Sequence, residues 1–382
     1  MFVRFRRIRK WHLLKLLAPL MLLSVLVFCW DQNALSHTWS YYYRYLGNSF
    51  ANINKSLTIS RDQARRFSSY HYLLNHPHKC REEDVLLLLF VKSSPGNAMR
   101  RSTIRSTWGN ETFIRSVLGV TVKVLFALGA PQWNDEPKWS RRSGEFVQRQ
   151  LIREDGQFGD LIQQDFLDSF HNLTLKLILQ FRWMHSFCPH ARFFMSADDD
   201  MFVHMPNLVR YLQDMNRQHV KDFWVGHVHK GSPPVRSKDN KYYVSIETYR
   251  WMLYPDYTAG AGYVVSGDVA ERVFQAMLTL NASIHIDDVF MGICANAIGV
   301  SPQEHAYFSG EGKTPYHMCV YSQMITSHSH EDIPDLWRAA THPQVQEKTS
   351  GLMRKIYCTI VKLALLCTPS INQTYPCRAA FM

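Results

Sequence analysis

Arg192-Phe193-Phe194-Met195-Ser196-Ala197-Asp198-Asp199-Asp200 decides how the rest of the chain is read. An apolar run ends on three consecutive carboxylates, which repel one another and disfavour a strand interior. In an extended segment alternate side chains share a face, so Asp198 and Asp200 point one way and Asp199 the other. Two hard oxygen donors on one face suit Mg or Mn shared with a phosphate. The C-terminal end of a strand in an open α/β sheet is also where ligands bind. Taken alone, the triplet could equally be a solvated acidic turn.

The segments around it set the fold class. Asp84 to Val91 is a continuous apolar run, the pattern of a strand covered on both faces. Arg100 to Trp108 reads as a helix, and Val122 to Gly129 as a second buried strand ended by glycine. A polar, helix-prone region containing Asp155 to Asp168 follows. Asn172 to Trp183 is apolar with helical spacing and leads into the third strand, Arg192 to Ala197. Strands alternating with helices predict an α/β fold with a mostly parallel central sheet flanked by helices.

The N-terminus lies apart from that core. Arg4, Arg6, Arg7, Arg9 and Lys10 precede an apolar stretch, Leu13 to Trp30, interrupted by Lys15. Lys15 can snorkel to the headgroups, and thin early-secretory membranes accept a short span. The basic flank stays cytosolic, which puts the C-terminus in the lumen. No small-x-small cleavage site follows Phe28, so an uncleaved signal-anchor is expected over a cleaved signal peptide. The resulting organisation is a cytoplasmic tail (1–12), a transmembrane signal-anchor (13–30), a luminal stem (31–79) and one catalytic domain (80–382).

Charge and cysteine usage agree with a lumen. Six Lys or Arg fall in residues 1–30, so the net charge of +11 leaves only +5 for the remainder. That balance suits an anionic small substrate such as a nucleotide, and no basic patch with interleaved aromatics points to nucleic acid. Of eight cysteines, Cys29 falls in the membrane segment. Cys80, Cys188, Cys294, Cys319, Cys358, Cys367 and Cys377 lack zinc-knuckle spacing, and three disulfides with one thiol left over are expected. Sequons stand at Asn54, Asn110, Asn172, Asn281 and Asn372.

Four further segments carry chemistry. Ile286-Asp287-Asp288-Val289 puts two acids at the start of a helix, where the dipole favours them and where a general base could sit. Tyr254 to Gly267 mixes small residues, which let backbone approach a ligand, with aromatics that could stack on a sugar; a turn with core aromatics is the alternative. Arg100, Arg101 and Arg105 crowd one helix, and Arg101 and Arg105 share a face. They suit a diphosphate or, equally, a solvated face paired to Asp or Glu. His328 and His330 follow Met324-Ile325, and either imidazole could complete the shell of a borderline ion such as Mn.

Together these segments resemble a known family. Arg-Arg-Ser-Thr-Ile-Arg-Ser-Thr-Trp-Gly (100–109), Phe-Ala-Leu-Gly (126–129), Asp-Asp-Asp (198–200), Tyr-Pro-Asp-Tyr-x-x-Gly-x-Gly-Tyr (254–263) and Asp-Asp-Val-Phe-Met-Gly (287–292) occur in the order and spacing of the β1,3-glycosyltransferases of family 31. The resemblance implies a GT-A-type catalytic domain in a single-pass type II Golgi membrane protein. It further implies UDP-N-acetylglucosamine as donor, a glycosphingolipid acceptor and Mn²⁺ as cofactor. Homo- or hetero-oligomers with other glycosyltransferases are the implied protein partners.

By motif position Asp200 would bind the metal, with His328 as the metal-binding histidine and His330 still open. Asp198 and Asp199 would contact ribose or sugar or support the shell, and Arg101 and Arg105 would lie near the donor. Asp288 would be the base, with Asp287, which stands where many members carry Glu, as the other candidate. Transfer of galactose, a glycoprotein acceptor, and a luminal metal-dependent phosphohydrolase are the rival readings. A lectin-like module has no use for two acidic sites.

Overall fold

In the computed structural model the described residues are Pro19, residues 70–342 except 82, 133–137, 281–283, 306, 310–317 and 329–331, and then 352, 353, 356–358 and 360. The chain divides into two units, Met1–Ser49 and Phe50–Met382, and the second is the one described here. The expected span 13–30 lies outside the described residues apart from Pro19. Among the described residues no helix is long and apolar enough to cross a membrane.

Ten strands follow in chain order: β1 Tyr72–Leu74, β2 Val85–Lys92, β3 Thr121–Ala130, β4 Leu161–Leu167, β5 Phe193–Asp198, β6 Met201–Val203, β7 Trp224–His229, β8 Tyr257–Ser266, β9 Gln303–Glu304 and β10 Thr326–His328. The principal helices are α1 Ala98–Ser106, α2 Lys138–Phe158, α3 Leu173–Phe187, α4 Met205–Arg217, α5 Gly267–Met277, α6 Asp287–Ala297 and α7 Ile333–Thr341. Eight strands form one sheet in the order β1-β4-β3-β2-β5-β8-β7-β9, while β10 and β6 pair separately. The block β4-β3-β2-β5 is parallel; β8 runs antiparallel to both β5 and β7.

Burial on both faces explains the apolar runs. Every residue of β2 is buried. Leu88 and Phe90 join the cluster that holds α3, α5 and α6, whereas Leu87, Leu89 and Val91 join the cluster beneath α1, α4 and α7. Each such side chain contributes about 1.5–3 kcal/mol of transfer free energy, and the alternation leaves no face of the central strands for water.

Three expectations are corrected. The polar region Asp155 to Asp168 is not one helix: α2 ends at Phe158, Gly159 takes φ +61°, and the chain returns as β4. The strand carries two polar residues, Gln163 and Gln164, and both are buried. The Gln163 Nε2 donates to the Gly129 carbonyl at 2.9 Å and bonds the Gln148 amide at 2.9 Å. A polar side chain enters a strand interior when its bonds are supplied there. Second, Tyr254 to Gly267 contains the ten-residue strand β8 rather than a turn. Its small residues lack strand propensity, and pairing with β5 and β7 on its two edges supplies what propensity does not. Third, Tyr72–Leu74, assigned to the stem, is β1 and pairs with β4 at the sheet edge.

Cys80 is bonded to Cys188 and Cys319 to Cys358, and Cys294 is free and buried. Cys29, Cys367 and Cys377 lie outside the described residues, as do the sequons at Asn54, Asn281 and Asn372. Asn110 caps a helical turn by accepting from the Phe113 N–H at 2.9 Å, and Asn172 donates to the Leu167 carbonyl at 2.8 Å. The Cys80–Cys188 bond closes a separation of 108 residues and ties the entry of β2 to the end of α3. Replacing the pair with serine is expected to lower unfolding free energy by about 2–5 kcal/mol; denaturant titration measures this, and an unchanged midpoint would contradict the bond.

Candidate active site

The strand ends build the site. Parallel pairing sets Lys92, the last residue of β2, beside Asp198, the last of β5. Lys92 Nζ then meets three partners: Asp198 Oδ1 at 3.0 Å, Asp287 Oδ2 at 2.8 Å and the Gly260 carbonyl at 2.9 Å. Burial opposes its charge, but Asp198 and Asp287 outweigh burial and hold the ammonium well above the ordinary lysine range. One cation thus joins the two acidic motifs and the glycine-rich strand.

Gly260 is small for a reason visible in the packing. A Cβ there would stand 3.3 Å from both Asp288 Cβ and Lys92 Nζ. Its carbonyl accepts from Lys92 and its N–H donates to Asp288 Oδ2 at 3.3 Å. The glycine stretch therefore admits protein side chains. Tyr254 and Tyr263 are 3% and 1% exposed, so they are core aromatics and not a sugar platform.

The three carboxylates at 198–200 do different work. Asp199 is buried and accepts from Ser93 Oγ at 2.8 Å, Asn97 Nδ2 at 2.8 Å and Arg100 Nη1 at 2.7 Å. It ties the loop after β2 to the start of α1, which is the supporting role that was the alternative to a contact with ribose or sugar. Asp198 faces Lys92; burial, and after it the carboxylates of Asp287 and Asp200, push its pKa up. Asp200 Oδ1 is buried with no hydrogen bond among the described residues. His328 Nε2 stands 3.5 Å from that oxygen, because β10 pairs with β6 in the register His328↔Met201. Burial would raise the Asp200 carboxyl, but His328 and Arg100 overcome it and hold the pKa below the usual value.

A buried carboxylate oxygen without a hydrogen bond, facing an imidazole, fits a borderline divalent ion such as Mn. Among the described residues no group of three His, Cys, Asp or Glu could hold a metal, so such an ion would take most of its ligands from a substrate. His330 lies outside the described residues.

The second pair of acids opens α6. Asp287 is buried and neutralised by Lys92. Among the described residues Asp288 makes no salt bridge: its Oδ1 accepts from the Val289 N–H at 2.7 Å and its Oδ2 from the Gly260 N–H at 3.3 Å. Burial first, and repulsion from Asp287 second, raise its pKa to about 7.

Arg101 and Arg105 are paired within the protein. Arg101 is 0% exposed and spends its guanidinium on both oxygens of Glu154, on Ser93 Oγ and on the carbonyls of Ser94 and Pro95. Arg105 forks onto Asp160 at 2.7 and 2.8 Å and lies over Phe126 and Phe158. With five hydrogen bonds Arg101 has no donor left for a diphosphate, and Arg105 also reaches Glu154 at 2.8 Å. Arg100, their neighbour, faces the acids instead, 2.7 Å from Asp199 and 3.7 Å from Asp200. The sequence reading missed Lys92 as well. Its signal is a single ammonium at the end of an eight-residue buried run, aligned with a strand that ends in carboxylates.

Comparison with known proteins shows the family. The galactosyltransferase family model matches residues 99–306. Lactosylceramide 1,3-N-acetyl-beta-D-glucosaminyltransferase A of Danio rerio is 59% identical over 100% of both chains. The lactosylceramide 1,3-N-acetyl-beta-D-glucosaminyltransferase of Homo sapiens is 54% identical over 100% of both, and the A form of Xenopus laevis is also 54% identical over 100% of both. With over half its length inside the family model and relatives this similar from end to end, the chain belongs to the galactosyltransferase family, the family 31 whose motifs it carries.

Proposed function

We propose that this chain transfers N-acetylglucosamine from UDP-N-acetylglucosamine, in β1,3 linkage, to the galactose of lactosylceramide, giving lactotriaosylceramide. The reading rests on end-to-end likeness to enzymes of that name and on one observation: Asp288, next to the buried Lys92–Asp287 pair, is held by two backbone N–H groups and makes no salt bridge among the described residues. The fold is then of the GT-A type. A type II topology in the Golgi membrane, with anchor 13–30 and a luminal stem, would bring the site to a lipid-linked acceptor.

The chemistry follows from the residues. A β-linkage made from an α-linked UDP-sugar requires one in-line inversion. Asp288 takes the proton from the acceptor 3-hydroxyl as that oxygen attacks the anomeric carbon, through an oxocarbenium-like transition state. Asp287 is paired to Lys92, and its charge beside Asp288 helps keep the neighbouring acid basic. Lys92 in turn holds α6 against the end of β5. Asp200 and His328 would hold Mn²⁺, which when bound offsets the negative charge that develops on the leaving diphosphate. Arg100 adds a guanidinium on the same side.

Three measurements check the reading. Incubation with lactosylceramide, Mn²⁺ and either UDP-N-acetylglucosamine or UDP-galactose is expected to give a trisaccharide lipid with the first donor only. Product from UDP-galactose alone, transfer to glycoprotein glycans alone, or free phosphate without product would each replace the proposal. Asp288→Asn is expected to bind UDP-N-acetylglucosamine normally and to lose about 10²–10⁴-fold in kcat. In the parent protein kcat/KM should rise with pH up to about 7 and then level, because the base acts deprotonated. A flat profile between pH 5.5 and 8, or full turnover in the variant, would remove Asp288 from the role. Asp200→Ala should abolish the Mn²⁺-dependent part of UDP binding, read by calorimetry with and without metal; an unchanged metal dependence would contradict the ligand assignment.

A further inference from the structure

We infer that the chain carries an N-linked glycan at Asn110 and none at Asn172, the two sequons whose asparagine the structure describes. The inference rests on the luminal placement proposed above, where such glycans are added. The two sequons are Asn110-Glu111-Thr112 and Asn172-Leu173-Thr174. Each is read through the asparagine amide nitrogen that receives the sugar and the hydroxyl two residues on, and the bulky glycan needs room at the surface. At Asn110 both groups are available. Its Oδ1 accepts from the Phe113 N–H at 2.9 Å, which fixes the amide by its oxygen and leaves Nδ2 without a hydrogen bond among the described residues. Thr112 is exposed. At Asn172 folding withdraws both. Its Nδ2 donates to the Leu167 carbonyl at 2.8 Å. Thr174 is 2% exposed, and its Oγ1 donates to the Ile284 carbonyl at 2.5 Å.

Position in the fold separates them further. Asn110 follows α1 on the side where β2 and β3 begin: Glu111 Oε1 accepts from the Val124 N–H at 2.9 Å, and Arg115 pairs with Glu83, just ahead of β2. The acids stand at the other end of β2, so a glycan on Asn110 leaves the site open. Asn172 opens α3 at the site end, one turn before Lys176, whose Nζ donates to the carbonyl of Ser93, next to Lys92, at 2.7 Å. A sugar chain there would crowd the acids of α6. The modification joins Asn110 Nδ2 to the anomeric carbon of an oligosaccharide carried on a lipid diphosphate. The C–N bond forms as the C–O bond to the diphosphate breaks; the diphosphate leaves with that electron pair, and the amide gives up one proton. This chain is the substrate of that step, and a membrane-bound oligosaccharide transferase catalyses it.

The test uses the full chain made in cells with a secretory pathway. Release of its glycans by a peptide N-glycosidase in heavy-oxygen water turns each occupied asparagine into a labelled aspartate, and peptide mapping locates the label. Label is expected at 110 and not at 172. Thr112→Ala removes the sequon but keeps the Asn110 cap, and Thr112 makes no hydrogen bond among the described residues. That variant is expected to fold and to lose the label at 110. A bare Asn110 with label at another sequon, or label at 172, overturns the inference and leaves the luminal placement standing. Label that persists at 110 in Thr112→Ala also overturns it, because the sequon was then not its source. No label at any of the five sequons overturns the luminal placement and the inference together.

Discussion

Lys92 is an ammonium inside the protein, and the site is arranged around keeping it satisfied. Its three partners come from β5, β8 and α6, elements separated by up to 195 residues in sequence. Removing one partner of a buried charge pair costs about 3–5 kcal/mol, because the charge left behind is uncompensated. The three elements are thus fixed relative to one another by a penalty for moving apart. The same contact leaves Asp288 as the acid that Lys92 does not neutralise. The division of labour between Asp287 and Asp288 follows from which of them reaches the cation, and their types alone do not decide it.

A second buried cation performs the matching task one layer out. Arg101 joins the loop after β2 to α2 through Glu154, and Asp199 joins that loop to α1 through Ser93, Asn97 and Arg100. The loop 93–97 carries the backbone from the strand end to the helix and is held from both sides. This scaffold lets Asp200 keep an oxygen without a hydrogen bond beside His328. A site intended for a cation and a diphosphate must withhold some groups from internal pairing. Asp199 and Arg101 beside it have their bonds supplied by protein partners, which leaves the Asp200 oxygen as the open acceptor of the acidic triplet.

Much of this was legible in the chain. The apolar runs at 84–91, 122–129 and 192–197 pointed to the α/β class, and the acids after the last of them to the strand end where Lys92 and Asp198 meet. The motif set identified the family. The stretches misread share one physical feature: polar or small residues in places where burial was supplied by partners far away. Gln163 sits in a strand because Gln148 and Gly129 bond it. The residues from Tyr257 to Gly262 are extended because strands flank them on both edges. Arg101 looked like a phosphate ligand because nothing local reveals Glu154 on the far side of the turn.

Local composition and periodicity determined which segments are buried, where charge collects and which family the chain joins, since these depend on neighbours in sequence and on the cost of exposing apolar surface. Tertiary structure alone decided the pairings. It chose Asp287 for Lys92, left Asp288 open, brought His328 to Asp200 through the β6–β10 register and turned Arg101 and Arg105 inward. An ion pair forms where three-dimensional approach permits it, and every one of these contacts spans residues far apart in the chain.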